Sequence, residues 1–258
     1  MRLMKRILSA AAVLALSASL LVGCSSGTAS SVPVSASSAA ESTVSSVEET
    51  ASSAVDENEA AAAQLLNDLT GSYQELWPVI LADEYQQTWL DDCTALVGEE
   101  NAEAAFEKLS SMVTSDVYGE DAVEAYANGG GAYFCGFTNS LATLTFDGET
   151  STISGTDKDG NVLSSHTYHY IGMEPVHGLY EFESDDADSG EFTYFFLAPD
   201  TSAETYHIEF RYGSDAEALS QYDAGEYAYW VASGISTDCD QTMIDNCIEL
   251  FCTENLAG

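Results

Sequence analysis

From Tyr133 to Gly213 the chain is a succession of short runs rich in β-branched and aromatic residues, each bounded by turn residues: "YFCGFT", "SLATLTF", "TSTISGT", "NVLSSHTYHYIGM", "GLYEFES", "EFTYFFLA" and "ETYHIEFRYG". Between them, "KDGN" (Lys158 to Asn161) and "DSGE" (Asp188 to Glu191) have the composition of hairpin turns. Strands joined by consecutive hairpins form an antiparallel sheet. A sheet of this many strands leaves two exposed edges unless it curls or closes. The expected fold is therefore α+β, mainly β: an antiparallel β-barrel with N-terminal and C-terminal flanking helices.

The flanking helices follow from three- and four-residue spacing. "NEAAAAQLLNDL" is rich in good helix formers, and "EENAEAAFEKLSSMV" aligns Ala102, Ala105, Phe106, Leu109 and Met112 on one face. Between these two, "GSYQELWPVILADEYQQTWLDD" reads as short helices broken at Pro78, with Tyr73, Trp77, Ile80, Tyr85 and Trp89 turned to a core. After the strands, Ser214 is expected to cap a helix in "GSDAEALSQYDAGEY", and "CDQTMIDNCIELFC" closes the chain as an amphipathic helix.

Ahead of this domain, residues 1–23 have the charged start and short apolar run of an export signal. Leu21-Val22-Gly23-Cys24 resembles the bacterial lipobox, so Cys24 is expected to be the lipidated N-terminus of a protein held at the cell membrane, facing the extracytoplasmic side. Residues 24–58 are almost entirely Ser, Ala, Val, Thr and Glu. They bury too little to offset their ordering entropy and read as a disordered tether. One domain remains, 59–258.

All 43 acidic residues lie beyond Cys24, accompanied only by Lys108, Lys158 and Arg211. With no basic patch to displace counterions from phosphate, nucleic acid is excluded as a partner. Divalent cations are drawn to such a surface, although charge alone builds no site. Cys93, Cys135, Cys239, Cys247 and Cys252 could pair outside the cytoplasm, and an odd number leaves at least one over. Cys247 and Cys252, five apart on a helix, face different ways and read as buried thiols. No nucleophile elbow, zinc-protease helix, phosphate loop or Cys-His pair is present, so an enzyme is not expected.

Three stretches, "GSYQELWPVILADE", "YHYIGMEPVHGLYEFESDDADSGEFTY" and "LAPDTSAETYHIEFRYGSDAEAL", together resemble the ZinT (YodA-type) family. The resemblance implies a calycin- or lipocalin-like barrel that binds zinc through three histidines, one shortly before the Ala-Pro pair and two, one residue apart, on the strand after it. In this chain those positions are Phe195, Thr205 and His207, so one imidazole of the three remains, and the tether has no histidine. Alternation places Thr205, His207, Glu209 and Arg211 on one strand face and Tyr206, Ile208, Phe210 and Tyr212 on the other. The candidate zinc ligands are then His207 and Glu209, with Arg211 opposing a cation unless it pairs with Glu209. His166 and His169 fall on opposite faces, and His177 occupies a turn. The reading is a lipid-anchored domain binding or buffering zinc with a degenerate histidine site. The alternative is a metal-free barrel whose lost site, made apolar by Phe195, takes a small organic ligand.

Overall fold

The computed structural model describes residues 57–198 and 207–257. Cys24, the export signal, nearly all of the tether, and Thr205 lie outside them. Eight strands form a closed barrel: β1 (Gly71–Glu75), β2 (Thr143–Asp147), β3 (Thr152–Thr156), β4 (Val162–Met173), β5 (Tyr180–Ser184), β6 (Tyr194–Leu197), β7 (His207–Gly213) and β8 (Ala232–Ser236). Each strand pairs antiparallel with the next, and β8 returns to pair with β1 through Tyr73↔Ser236 and Glu75↔Gly234. The closed antiparallel barrel expected from the hairpin run is observed, and it is consistent with the calycin-like class that the resemblance implies.

Six of the seven expected strands are present as β2 to β7. "YFCGFT" is instead an irregular segment in which Phe134 makes isolated bridges to Thr114 and Trp230. The two strands that close the barrel come from elsewhere. β1 occupies the start of the stretch expected to be helical, and β8 is the small-residue run "ASGIS".

Helix α1 (57–68) already includes Glu57 and Asn58, and Ala62, Leu65, Leu66 and Leu69 join the lumen core from it and the turn that follows. After β1 come α2 (Leu76–Ile80), a 3-10 turn (Asp83–Tyr85), α3 (Gln86–Val97), α4 (Glu99–Ser111) and α5 (Glu120–Ala127). Pro78 does not break a helix. It stands in the first turn of α2, where an amide N–H would lack an intrahelical partner in any case. Past β7, α6 (Ala216–Leu219) is capped by the Asp215 carboxylate rather than Ser214, because Asp215 is the residue that accepts from the Glu217 and Ala218 amides. Asp240 caps α7 (Gln241–Leu256) in the same way, accepting from Met243 N.

The molecule has two cores. Inside the barrel, cross-strand partners share a face, so Tyr170, Phe182, Phe195 and Tyr212 follow one another across β4 to β7, and Tyr180, Leu197, Phe210 and Ala232 across β5 to β8. Trp230 packs at 5.1 Å, edge to face, on Tyr212. The inward positions of β8 are small where the paired strand crowds them: a Cβ on Gly234 would stand 3.1 Å from Ile208 Cγ1. The second core lies outside the barrel, where Ile235 on the outer face of β8 meets Trp77, Trp89, Cys93, Leu109, Ile248 and Phe251 of the helices.

Candidate functional site

β7 carries both candidate ligands and sorts its side chains by alternation. Ile208, Phe210 and Tyr212 fill the lumen, while His207, Glu209 and Arg211 point outward, with His207 opposite Ile235 and Glu209 opposite Ser233. His207 and Glu209 therefore share a face, as the sequence implies. Phe195 does not join them. It pairs with Tyr212, is 1% exposed, and stacks on Phe210 and Tyr212 inside the barrel. The resemblance puts a histidine at that position, but the β6–β7 register gives it the lumen rather than the face of His207.

Glu209 lies within electrostatic reach of Cys135, Cys247 and Tyr222. Burial, with a smaller contribution from the charges of Cys239 and Glu209, pushes the Cys247 thiol up to about 12; burial raises Cys135 as well. Both are neutral thiols at ordinary pH as the chain stands. Among the described residues no three His, Cys, Asp or Glu side chains converge where a metal ion could sit. The outer wall of β7 thus offers a His–Glu pair, which fits a partial zinc site but not a closed tetrahedral one.

Arg211 is withdrawn from that pair. Its guanidinium donates to the carbonyl oxygens of Leu219, Gln221 and Tyr227 and lies 4.2 Å from the centre of the Tyr222 ring. His177 also packs on that ring, 3.6 Å between centroids, with its Nδ1 3.3 Å from Glu174 Oε2. His177 occupies the turn expected of it and is buried there, with Tyr222 from the segment after β7 against it. Burial pushes the Glu174 carboxyl up. Bonds from the His177 and Val176 amides, together with the nearby imidazole, outweigh it and hold the group below its ordinary value. The remaining histidines are on opposite faces, as alternation requires, each beside an aspartate: His166 Nδ1 is 2.9 Å from Asp186 and His169 Nδ1 is 2.7 Å from Asp185.

A second feature has no counterpart in the sequence reading. At the end of β1, a cleft of 340 Å³ opens between α2, residues 113–115 and residues 134–136. Glu75 faces it, held by a 2.6 Å hydrogen bond from Phe137 N. Trp77, Leu81 and Phe134 supply apolar walls. Gly136 makes this approach feasible, since a Cβ there would lie 2.7 Å from the Phe134 ring and 3.1 Å from Glu75 Oε1. The Trp77 indole N–H is buried within reach of the Cys135 thiol, without a hydrogen bond of normal geometry among the described residues. Sequence reasoning missed Glu75 because it assigned "GSYQE" to a helix. The one available signal was Tyr73 and Glu75 in alternation after Gly71.

The barrel is similar to the zinc-bound ZinT-like domain of AdcA from Streptococcus pneumoniae, with a TM-score of 0.45 and 16% identity over 71% of this chain and 89% of that one. The chain resembles a ZinT-like domain. The zinc-bound AdcA of the same organism aligns with a TM-score of 0.42 and 15% identity, over 75% of this chain but 35% of that one. No family model matches the sequence, and no curated protein matches it.

Proposed function

We propose that this chain is an extracytoplasmic, lipid-anchored ZinT-like domain that takes up zinc weakly through His207 and Glu209. The observation that carries the reading is the shared outward face of these two side chains on β7. A neutral imidazole and a carboxylate two residues apart on a strand can both reach one ion. With two protein donors, water completes the coordination, and affinity falls below that of a three-histidine site. Zinc titration in moderate salt tests this: one equivalent should bind, His207→Ala should abolish it and Glu209→Gln should weaken it. Uptake that is multivalent, lost with added salt and indifferent to His207 would reduce it to counterion attraction and end the proposal. The anchor is tested separately by Cys24→Ser, which should release the protein from the lipid fraction.

The cleft at Glu75 favours a second reading, a small organic ligand bound without metal. This is not the pocket expected at Phe195, where aromatic rings fill the lumen. The Glu75 carboxylate has no ion-pair partner among the described residues, and apolar walls surround it. The complementary ligand is a small organic ammonium ion with an apolar body. A thermal-shift panel of alkyl- and arylammonium ions should give hits lost in Glu75→Gln. A flat panel removes this reading.

A further inference from the structure

Cys93 and Cys252 come from sequence positions 159 apart, yet their Sγ atoms lie 3.9 Å from each other in the core between α3 and α7. Both are 0% exposed. Neighbouring contacts earlier along both helices support this meeting. Thr88 Oγ1 reaches Asp245 Oδ1 at 3.5 Å before the pair, and Trp89 packs edge to face on Phe251 at 5.9 Å beside it. Contacts advance together along both helices, so α3 and α7 pass in the same sense and the two thiols face each other across the crossing. A disulfide needs its sulfurs at about 2.05 Å, so the two side chains must turn further toward each other from their present contact.

We propose that Cys93 and Cys252 form a disulfide when the chain folds in an oxidising environment. The oxidant is a disulfide, either that of an exported dithiol oxidase or oxidised glutathione. One thiolate attacks it, forming a mixed disulfide and releasing the first oxidant thiol. The second cysteine then attacks its partner's sulfur and releases the other. Two thiols lose two protons and two electrons, and the oxidant's disulfide becomes a dithiol. Burial raises both thiols in the folded chain, so the reactive thiolate is scarce once α3 and α7 have docked. The bond therefore closes while the helices are still assembling.

Its position gives it a defined effect. α3 follows β1 after α2 and a 3-10 turn, and α7 follows β8, so the bond clasps the seam where the first strand of the barrel pairs with the last. Of the strand pairings in the barrel, that one closes the longest loop and carries the largest closure entropy. A cross-link enclosing β2 to β8 removes part of that cost. The other three cysteines are not needed: Cys135 lies beside the cleft and Cys239 precedes α7.

The test is to refold the reduced full chain in a glutathione redox buffer, alkylate in denaturant without reductant, digest at acidic residues and map the linked peptides. A product lighter by two hydrogens, with Cys93 joined to Cys252, is the expected result. Reductant should lower its Tm by roughly 5–15 °C, and the Cys93→Ala/Cys252→Ala chain should show no such shift. Full alkylation of both cysteines, or a linkage of either to another cysteine, overturns the proposal. Because the oxidant is supplied in the buffer, the outcome does not depend on whether the chain is exported.

Discussion

Between the strands, the middle of the barrel is filled by Phe182, Phe195, Phe210 and Tyr212, all nearly inaccessible. The layer between barrel and helices is also aromatic, yet it holds a thiol pair, borders the 340 Å³ cleft, and leaves Asp92 Oδ2 buried without a hydrogen-bond partner among the described residues. The physical difference lies in what sets each residue's position. In the lumen, hydrogen bonds to two neighbouring strands fix the register, so each side chain has one place and the volume must be filled by choice of residue. In the helical layer side-chain packing alone sets the spacing, and gaps and polar atoms survive where helices diverge. His207, Glu209 and the thiol pair lie outside the barrel, while Glu75 stands at its end on the inward face of β1.

The largest effect that would sharpen this contrast is loss of lumen filling. Phe210→Ala should cost about 3–5 kcal/mol, measured by denaturant unfolding, while zinc uptake at His207 is retained in the folded fraction. A smaller penalty would mean that the lumen can collapse as the layer can. Next comes Phe195→His, which restores the residue type implied by the ZinT resemblance. Since position 195 faces the lumen, the imidazole should destabilise the fold by roughly 1–3 kcal/mol and leave zinc affinity unchanged. A tighter site would place position 195 beside His207 and contradict the observed register.

The smallest effect belongs to the helical layer and has a sign opposite to the usual one. Burial, then the charges of Glu249, Asp245 and Asp91, raises the Asp92 carboxyl above its ordinary value. A carboxylate whose folded pKa is raised favours the fold while protonated, and that contribution is lost as pH rises through the folded value. Asp92→Asn should therefore stabilise the protein slightly at neutral pH, and the advantage over wild type should vanish as pH falls through the carboxylate range. Glu174, held below its ordinary value, works the other way: its stabilisation is present at neutral pH and lost on acidification. Thermal unfolding of Asp92→Asn across this range checks the sign, and an advantage that grows at low pH would refute it.

Most of the barrel was legible in the sequence because β2 to β7 alternate large apolar and polar residues between recognisable turns. The closing strands were not. β1 has one large apolar inward residue, Tyr73, and runs directly into α2, while β8 spends its inward positions on Ala232 and Gly234. Their identity depends on what packs against them from across the lumen, which local pattern cannot reveal. The same holds for the candidate sites. That His207 and Glu209 share a face follows from the period of a strand. That Phe195 lies on the other side follows from the pairing of β6 with β7, and that Glu75 borders a cleft follows from segments 113–115 and 134–136, far along the chain.

The division into two cores also has an optical consequence. The chain has 3 tryptophans. Trp77 and Trp89 lie in the helical layer, and Trp230 packs in the lumen among Tyr212, Tyr227 and Tyr118. Replacing Trp230 by Phe leaves an emission that reports on the layer alone, and replacing the other two leaves one that reports on the barrel alone. Each core of this protein thus carries its own indole, and the order in which the two dissolve can be read as light.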